Sequence, residues 1–108
     1  MDAPQLPLTP AVFQVLVALA DGERHGYALL KQVEPQTNGG VRLSTGTLYG
    51  IIDRLLAEGL IADRTVRGRR QYRLTPRGRQ TALAEADRLE ALLSVARATR
   101  ALRRPART

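Results

Sequence analysis

The 108-residue chain has no cysteine and no tryptophan, one methionine, one phenylalanine, three tyrosines and one histidine. Without cysteine there is neither a disulfide scaffold nor a thiolate metal cluster. A lone histidine, His25, excludes a histidine metal cluster and offers a Ser-His-Asp arrangement nothing beyond itself. His25 precedes Gly26 at a helix start, so it reads as a cap or packing residue. No apolar run approaches the ~20 residues that span a bilayer. Met1 to Pro10 has neither a basic start nor a long apolar stretch, so a soluble cytoplasmic protein is expected. No glycine-rich phosphate loop follows a strand, because Gly39 and Gly40 sit in a polar turn. The carboxylates are scattered on exposed helix positions or beside arginines. No catalytic residue, cofactor or metal is expected, and the chain does not read as an enzyme.

What is abundant is arginine, which supplies 16 of the 17 basic residues, and it is unevenly spread. Met1 to Gly59 carries a net charge of −2, whereas Leu60 to Gln80 holds seven arginines against Asp63 alone, a net of +6. A block of like charge costs stability unless something answers it. A polyanion docking there would gain from counterion release and from bidentate guanidinium–phosphate bonds.

The stretch from Leu43 to Pro76 gives that charge a shape. Ser44 can cap a helix and Gly59 can end it in the left-handed conformation. Leu48, Ile51, Ile52, Leu55 and Leu56 form an apolar stripe, while Thr45, Gly46, Tyr49, Gly50, Asp53 and Ala57 fall on the other side. The period then changes. Ile61 to Val66 and Arg69 to Leu74 read as strands joined by a tight turn at Arg67 and Gly68. A capped helix followed by a basic hairpin is the order of a winged helix. The fold class expected is therefore mainly α with a small β-hairpin wing.

Elsewhere, Thr9 and Pro10 open a first helix that closes at Asp21 and Gly22. It carries two apolar stripes, one of Phe13, Leu16, Val17 and Ala20 and another of Val12, Val15 and Leu19. A helix apolar on two sides is buried on two sides. A second helix from about Gly26 should turn Tyr27, Leu30 and Val33 inward and stop or kink near Pro35. Asn38 to Gly40 make a turn, and Val41 to Leu43 are the candidate third strand beside the wing. Thr75 and Pro76 launch a long last helix striped by Ala82, Ala86, Leu89, Leu93 and Ala96 and widened by Leu83, Leu92 and Val95. Nothing in so short a chain can cover that stripe. A twofold-related copy can, packing on the first and last helices, and Phe13, Leu16, Leu89, Leu92, Leu93 and Ala96 are the candidate dimer contacts. The organisation expected is a DNA-binding unit over 1–76, a dimerisation helix over 77–104 and a disordered tail over 105–108.

The runs HGYALLKQVE at His25 to Glu34, STGTLYGIIDRLLAEGLI at Ser44 to Ile61 and YRLTPRGR at Tyr72 to Arg79 resemble the PadR transcriptional regulators, in particular their short subfamily. The likeness covers roughly Leu8 to Arg100. It implies a winged helix-turn-helix, a long C-terminal helix used for dimerisation, and binding to operator DNA, usually as a repressor. It also implies a response to phenolic or multidrug ligands in a cavity between subunits. The aromatics here are only Phe13, Tyr27, Tyr49 and Tyr72, so such a pocket would be poorly furnished, and its place would be near Phe13, Leu16, Leu89, Leu92 and Leu93.

In a helix-turn-helix the N-terminal residues of the second helix reach base edges first. Ser44, Thr45, Thr47 and Tyr49 are thus the candidate groove or phosphate contacts, with Gly46 and Gly50 permitting close approach and Arg54 reaching backbone from the flank. The other reading of Tyr49 is a half-buried aromatic at the hairpin junction. Arg67, Arg69 and Arg70 surround Gly68 and should lie along the backbone or in the minor groove. Arg73 and Arg77 are candidates for structural pairing with Asp63 or the last helix. The competing function is a winged-helix protein-interaction module that does not bind DNA, which Asp53 and Glu58 favour because they repel phosphates.

Overall fold

The computed structural model describes residues 6–105; Met1 to Gln5 and Ala106 to Thr108, on which part of the leader reading and most of the expected tail fall, lie outside the described residues. The element order is α1 (Pro10–Ala20), β1 (Arg24–His25), α2 (Gly26–Gln36), α3 (Thr45–Ala57), β2 (Ile61–Val66), β3 (Arg69–Leu74) and α4 (Pro76–Ala98). A single 3-10 turn at Arg100–Leu102 follows.

Helix α1 starts as its sequence dictates, with the Thr9 hydroxyl accepting the Val12 N–H at 3.2 Å and Pro10 fixing the first turn. It buries Val12, Val15, Leu16, Ala18 and Leu19. Leu16 thus belongs to the protein's own core, while Phe13 and Val17 are half-buried on the other side. In α2 the inward residues are Leu29 and Val33, four apart on one face. Tyr27, expected inward, is 61% exposed and has Lys31 over its ring at 5.4 Å. The helix runs one residue past Pro35 and stops, and Asn38 and Gly39 take left-handed conformations (φ 52° and 79°) to turn the chain.

The third strand is not at Val41 to Leu43, which has no regular structure. It is β1, which pairs Arg24 with Tyr72 and His25 with Gln71. The antiparallel sheet has the order β1-β3-β2. A two-residue strand leaves no periodic trace and exists only because β3 offers it a free edge.

Helix α3 ends in a Schellman arrangement: Leu60 N–H bonds the Leu55 carbonyl at 3.0 Å and Gly59 N–H the Leu56 carbonyl at 3.1 Å, with Gly59 at φ 73°. Leu60, Ile61 and Tyr72 then join Leu48, Ile52 and Leu55 in the core. Thr75 ties α4 to this corner. Its hydroxyl accepts the Gly78 N–H at 3.0 Å and donates to the Gly59 carbonyl at 2.7 Å. Gly78 lies so close that a Cβ there would sit 1.9 Å from the Leu60 carbonyl oxygen. The face α4 turns inward is Gly78, Thr81 and Glu85, not its leucines. Glu85 is 1% exposed, yet accepts the Leu8 N–H at 3.3 Å and two Arg88 bonds at 2.6 and 2.9 Å. Beyond that point α4 projects into solvent, which gives the molecule extents of 57 × 34 × 22 Å.

Candidate nucleic-acid interface

The buried stripe of α3 (Leu48, Ile52, Leu55) fixes which face remains open. Ser44, Thr45, Gly46, Thr47, Tyr49, Gly50 and Arg54 are all exposed. Two of these hydroxyls are partly engaged in the cap. Ser44 Oγ accepts the Thr47 N–H at 3.1 Å and donates to Thr47 Oγ1 at 2.9 Å. Around Gly46 and Gly50 nothing beyond the adjoining residues and the helix's own backbone lies within 4 Å of where a Cβ would stand, so that face is unobstructed.

Tyr49 is the exposed aromatic of α3. Its side chain is 42% exposed, but the hydroxyl leans over the start of α2, where a Cβ on Gly26 would meet it at 2.3 Å. Glycine at 26 is therefore what lets Tyr49 lie down across the helix-turn-helix corner.

At the wing tip, Arg67 (φ 52°) and Gly68 (φ 78°) both adopt left-handed conformations, the geometry of a type I′ hairpin turn. Asn or Gly is at ease there; arginine is not. The sequence pairing between wing charges needs revision. Arg70 is held by Asp63 and stacks over Tyr72 at 5.4 Å, so Arg73 is not Asp63's hydrogen-bonding partner. Arg54, expected at the flank, bonds Glu58 at 2.7 Å. Arg64 grips Glu23 through two bonds at 2.6 and 2.7 Å. That bond from Arg64 outweighs desolvation and holds the Glu23 carboxyl below its ordinary pKa, with Arg73 adding its charge. Glu23 was not singled out in the sequence because its partner is 41 positions away. Among the described residues Arg67 and Arg69 make no ion pair, and both are exposed. Tyr49 of α3 and Arg69 of β3 line one cleft, so α3 and the wing form a continuous surface.

The profile of the transcriptional regulator PadR-like family matches residues 15–84, from the middle of α1 to the first turns of α4. The chain belongs to this family. PadR-like proteins are transcriptional regulators, not enzymes. The chain is 40% identical over 82 residues to a transcriptional regulator of Mycobacterium tuberculosis, covering 72% of this chain and 74% of that protein. It is 43% identical over 79 residues to an uncharacterized 37.1 kDa protein of a Streptomyces fradiae transposon, covering 72% of this chain but only 22% of that protein. The structure of Bacillus subtilis PadR in complex with operator DNA has the same fold, with TM-score 0.61 and 24% identity over 68% of this chain and 45% of that one.

The second surface of this PadR-like chain is the outer face of α4. Leu83, Leu89, Leu92, Leu93 and Val95 are all exposed, and Ala96 is half-buried. Of the predicted dimer contacts, Leu16 drops out because it is 0% exposed within its own core. Phe13, another of those predicted contacts, lines with Val17, Leu74, Ala82 and Ala86 an apolar cleft of about 250 Å³ between α1 and α4. No helix of the described residues is long and apolar enough to cross a membrane.

Proposed function

We propose that the protein is a sequence-specific, cytoplasmic DNA-binding transcriptional repressor that works as a homodimer on a two-fold symmetric operator. The observation that carries this reading is an unobstructed α3 face beside two exposed wing arginines, Arg67 and Arg69, that make no ion pair among the described residues, with Arg69 sharing a cleft with Tyr49. Thr45, Thr47 and the tip of Tyr49 supply sequence choice in the major groove, and Gly46 and Gly50 admit its wall. Arg67 and Arg69 supply affinity by contacting phosphates or the minor groove. Arg54 and Arg70 contribute less, because each already answers a carboxylate. The left-handed Arg67 favours this reading, since a conformational cost at an exposed tip is retained where the charge is needed.

The exposed α4 leucines support a pair, because a stripe of that size on a projecting helix is covered by a second copy in a C2 arrangement. Half-sites would then lie about one turn of duplex, roughly 34 Å, apart or a multiple of it. The small-molecule site expected between the first and last helices is best assigned to the Phe13 cleft, with planar aromatics as the first compounds for a thermal-shift screen.

The test is fluorescence anisotropy with generic and upstream-promoter duplexes at about 50 and about 200 mM salt, followed by footprinting. Paired protected half-sites and a steep loss of affinity with salt are expected. Exposed Asp53 on α3 keeps a protein-interaction module as the rival reading, and indifference to duplex at low salt would select it.

A further inference from the structure

The pairing of His25 with Gln71 holds the start of α2 against β3 and brings it beside Arg69 and Arg70, while Tyr49 closes the remaining side. The result is a cleft of about 350 Å³ with no carboxylate in its lining. Several independent features make it hungry for an anion. The first-turn N–H groups of α2 have no intrahelical acceptor, and His25 at the cap position offers them no side-chain bond. The positive end of an 11-residue helix is thus left unanswered. Both ring nitrogens of His25 are buried without a hydrogen-bond partner, and a tetrahedral oxyanion would accept from the one that carries the proton. Arg69 has no ion pair among the described residues. Arg70 is already neutralised by Asp63. Burial is the main cause that raises the Tyr72 pKa, so its phenol stays protonated and remains a donor.

We infer that this cleft is a seat for one phosphate group, held by the α2 amides from Gly26 onward, by Arg69 and by the His25 imidazole. The inference deepens the DNA-binding reading and rests on it for the natural source, a backbone phosphodiester reached when α3 enters the groove. Such a seat would fix register rather than read bases, because an amide-lined pocket recognises the phosphate and not the sequence beside it. Inorganic phosphate shares the chemistry and is the second source.

The test uses the uniformly 15N-labelled full chain, followed by NMR of backbone amides and the imidazole. It is titrated separately with inorganic phosphate, with chloride at matched ionic strength, and with a short duplex. The expected result is that phosphate and duplex, but not chloride, move the Gly26 and Tyr27 amides and the His25 ring. Arg69→Gln, at an exposed position, should keep the amide dispersion of a folded chain and weaken phosphate binding about tenfold, as expected for one charged hydrogen bond. Movement of these signals by duplex alone assigns the seat to backbone phosphate. Movement by phosphate alone, with the duplex shifting α3 and the wing only, retains the seat as a free-anion site and overturns its role in docking. If the duplex shifts α3 and the wing while neither titrant moves the α2 start, the seat is refuted and the DNA-binding reading stands. If the duplex shifts nothing at all, that reading fails, and the phosphate arm alone decides the seat.

Discussion

The guanidinium of Arg70 donates two hydrogen bonds to a single carboxylate oxygen of Asp63, and the same group lies over the Tyr72 ring. One wing arginine is therefore anchored to the sheet while Arg69, its neighbour, has no such partner among the described residues. Arg69→Ala should flatten the slope of log affinity against log salt by about 0.9, one phosphate's worth, for every duplex tested. Arg70→Ala should flatten it less. Equal slopes for the two variants in anisotropy titrations would mean that Asp63 does not hold Arg70 away from DNA.

Arg67 sits where the backbone prefers asparagine or glycine. Arg67→Asn should stabilise the fold by about 1 kcal/mol, the usual cost of a side-chain-bearing residue in the left-handed region, while weakening duplex binding. Urea denaturation and anisotropy on the same variant test both halves, and a stability loss would contradict the turn geometry.

Two glycine substitutions should move in opposite directions. Gly78→Ala would drive a methyl to within 1.9 Å of the Leu60 backbone oxygen, so a loss of about 3 kcal/mol or more is expected. Gly50→Ala, in the open middle of α3, should gain close to 1 kcal/mol in thermal unfolding yet weaken binding to the preferred duplex.

Buried core and exposed stripe separate cleanly on α1 and α4. Leu16→Ala should cost about 2–5 kcal/mol of folding stability, as for a fully buried leucine. Leu93→Glu, on the exposed stripe, should leave the secondary structure intact and shift sedimentation from dimer to monomer. A Leu93→Glu variant that stays dimeric would move the interface off α4.

Glu85 links the N-terminal segment to α4, and the hydrogen bond from Arg88 is the main cause that pulls its pKa below the ordinary 4.5. Its stabilising contribution is complete above that value and drains away as the pH falls further, through the lower folded-state pKa. Denaturation midpoints of the native chain should therefore decline below about pH 4.5 more steeply than those of Glu85→Gln.

Much of the fold was legible because its signals are local. Ser44, Gly59, the Arg67–Gly68 pair and the Thr75–Pro76 pair each act on the next few residues, and the elements they bound fall where the sequence put them. The misreadings are all non-local. Strand β1 depends on an edge contributed by Gln71 and Tyr72, about 47 positions on, and no pattern at Arg24 announces it. Tyr27 was turned inward on spacing alone, but Leu29 and Val33 share the face that meets the core. Leu16 fits both stripes of α1 by angle, and only packing assigns it. Glu85 reads as a solvated helix acid until Leu8 and Arg88 enclose it. At the candidate site the open residues of α3 were readable, whereas the ion pairs of Arg54, Arg64 and Arg70 required side-chain geometry.

Leu60 is shared by three elements: it closes α3, opens into β2, and its carbonyl faces both the Thr75 amide and the Cα of Gly78. The joint has no slack. A sideways push on the projecting end of α4 cannot be soaked up at its root by a side chain changing rotamer, because backbone there meets backbone. The long helix projects from that joint like a lever from its fulcrum, so a load on its far end meets the backbone that closes α3 and not a flexible side chain.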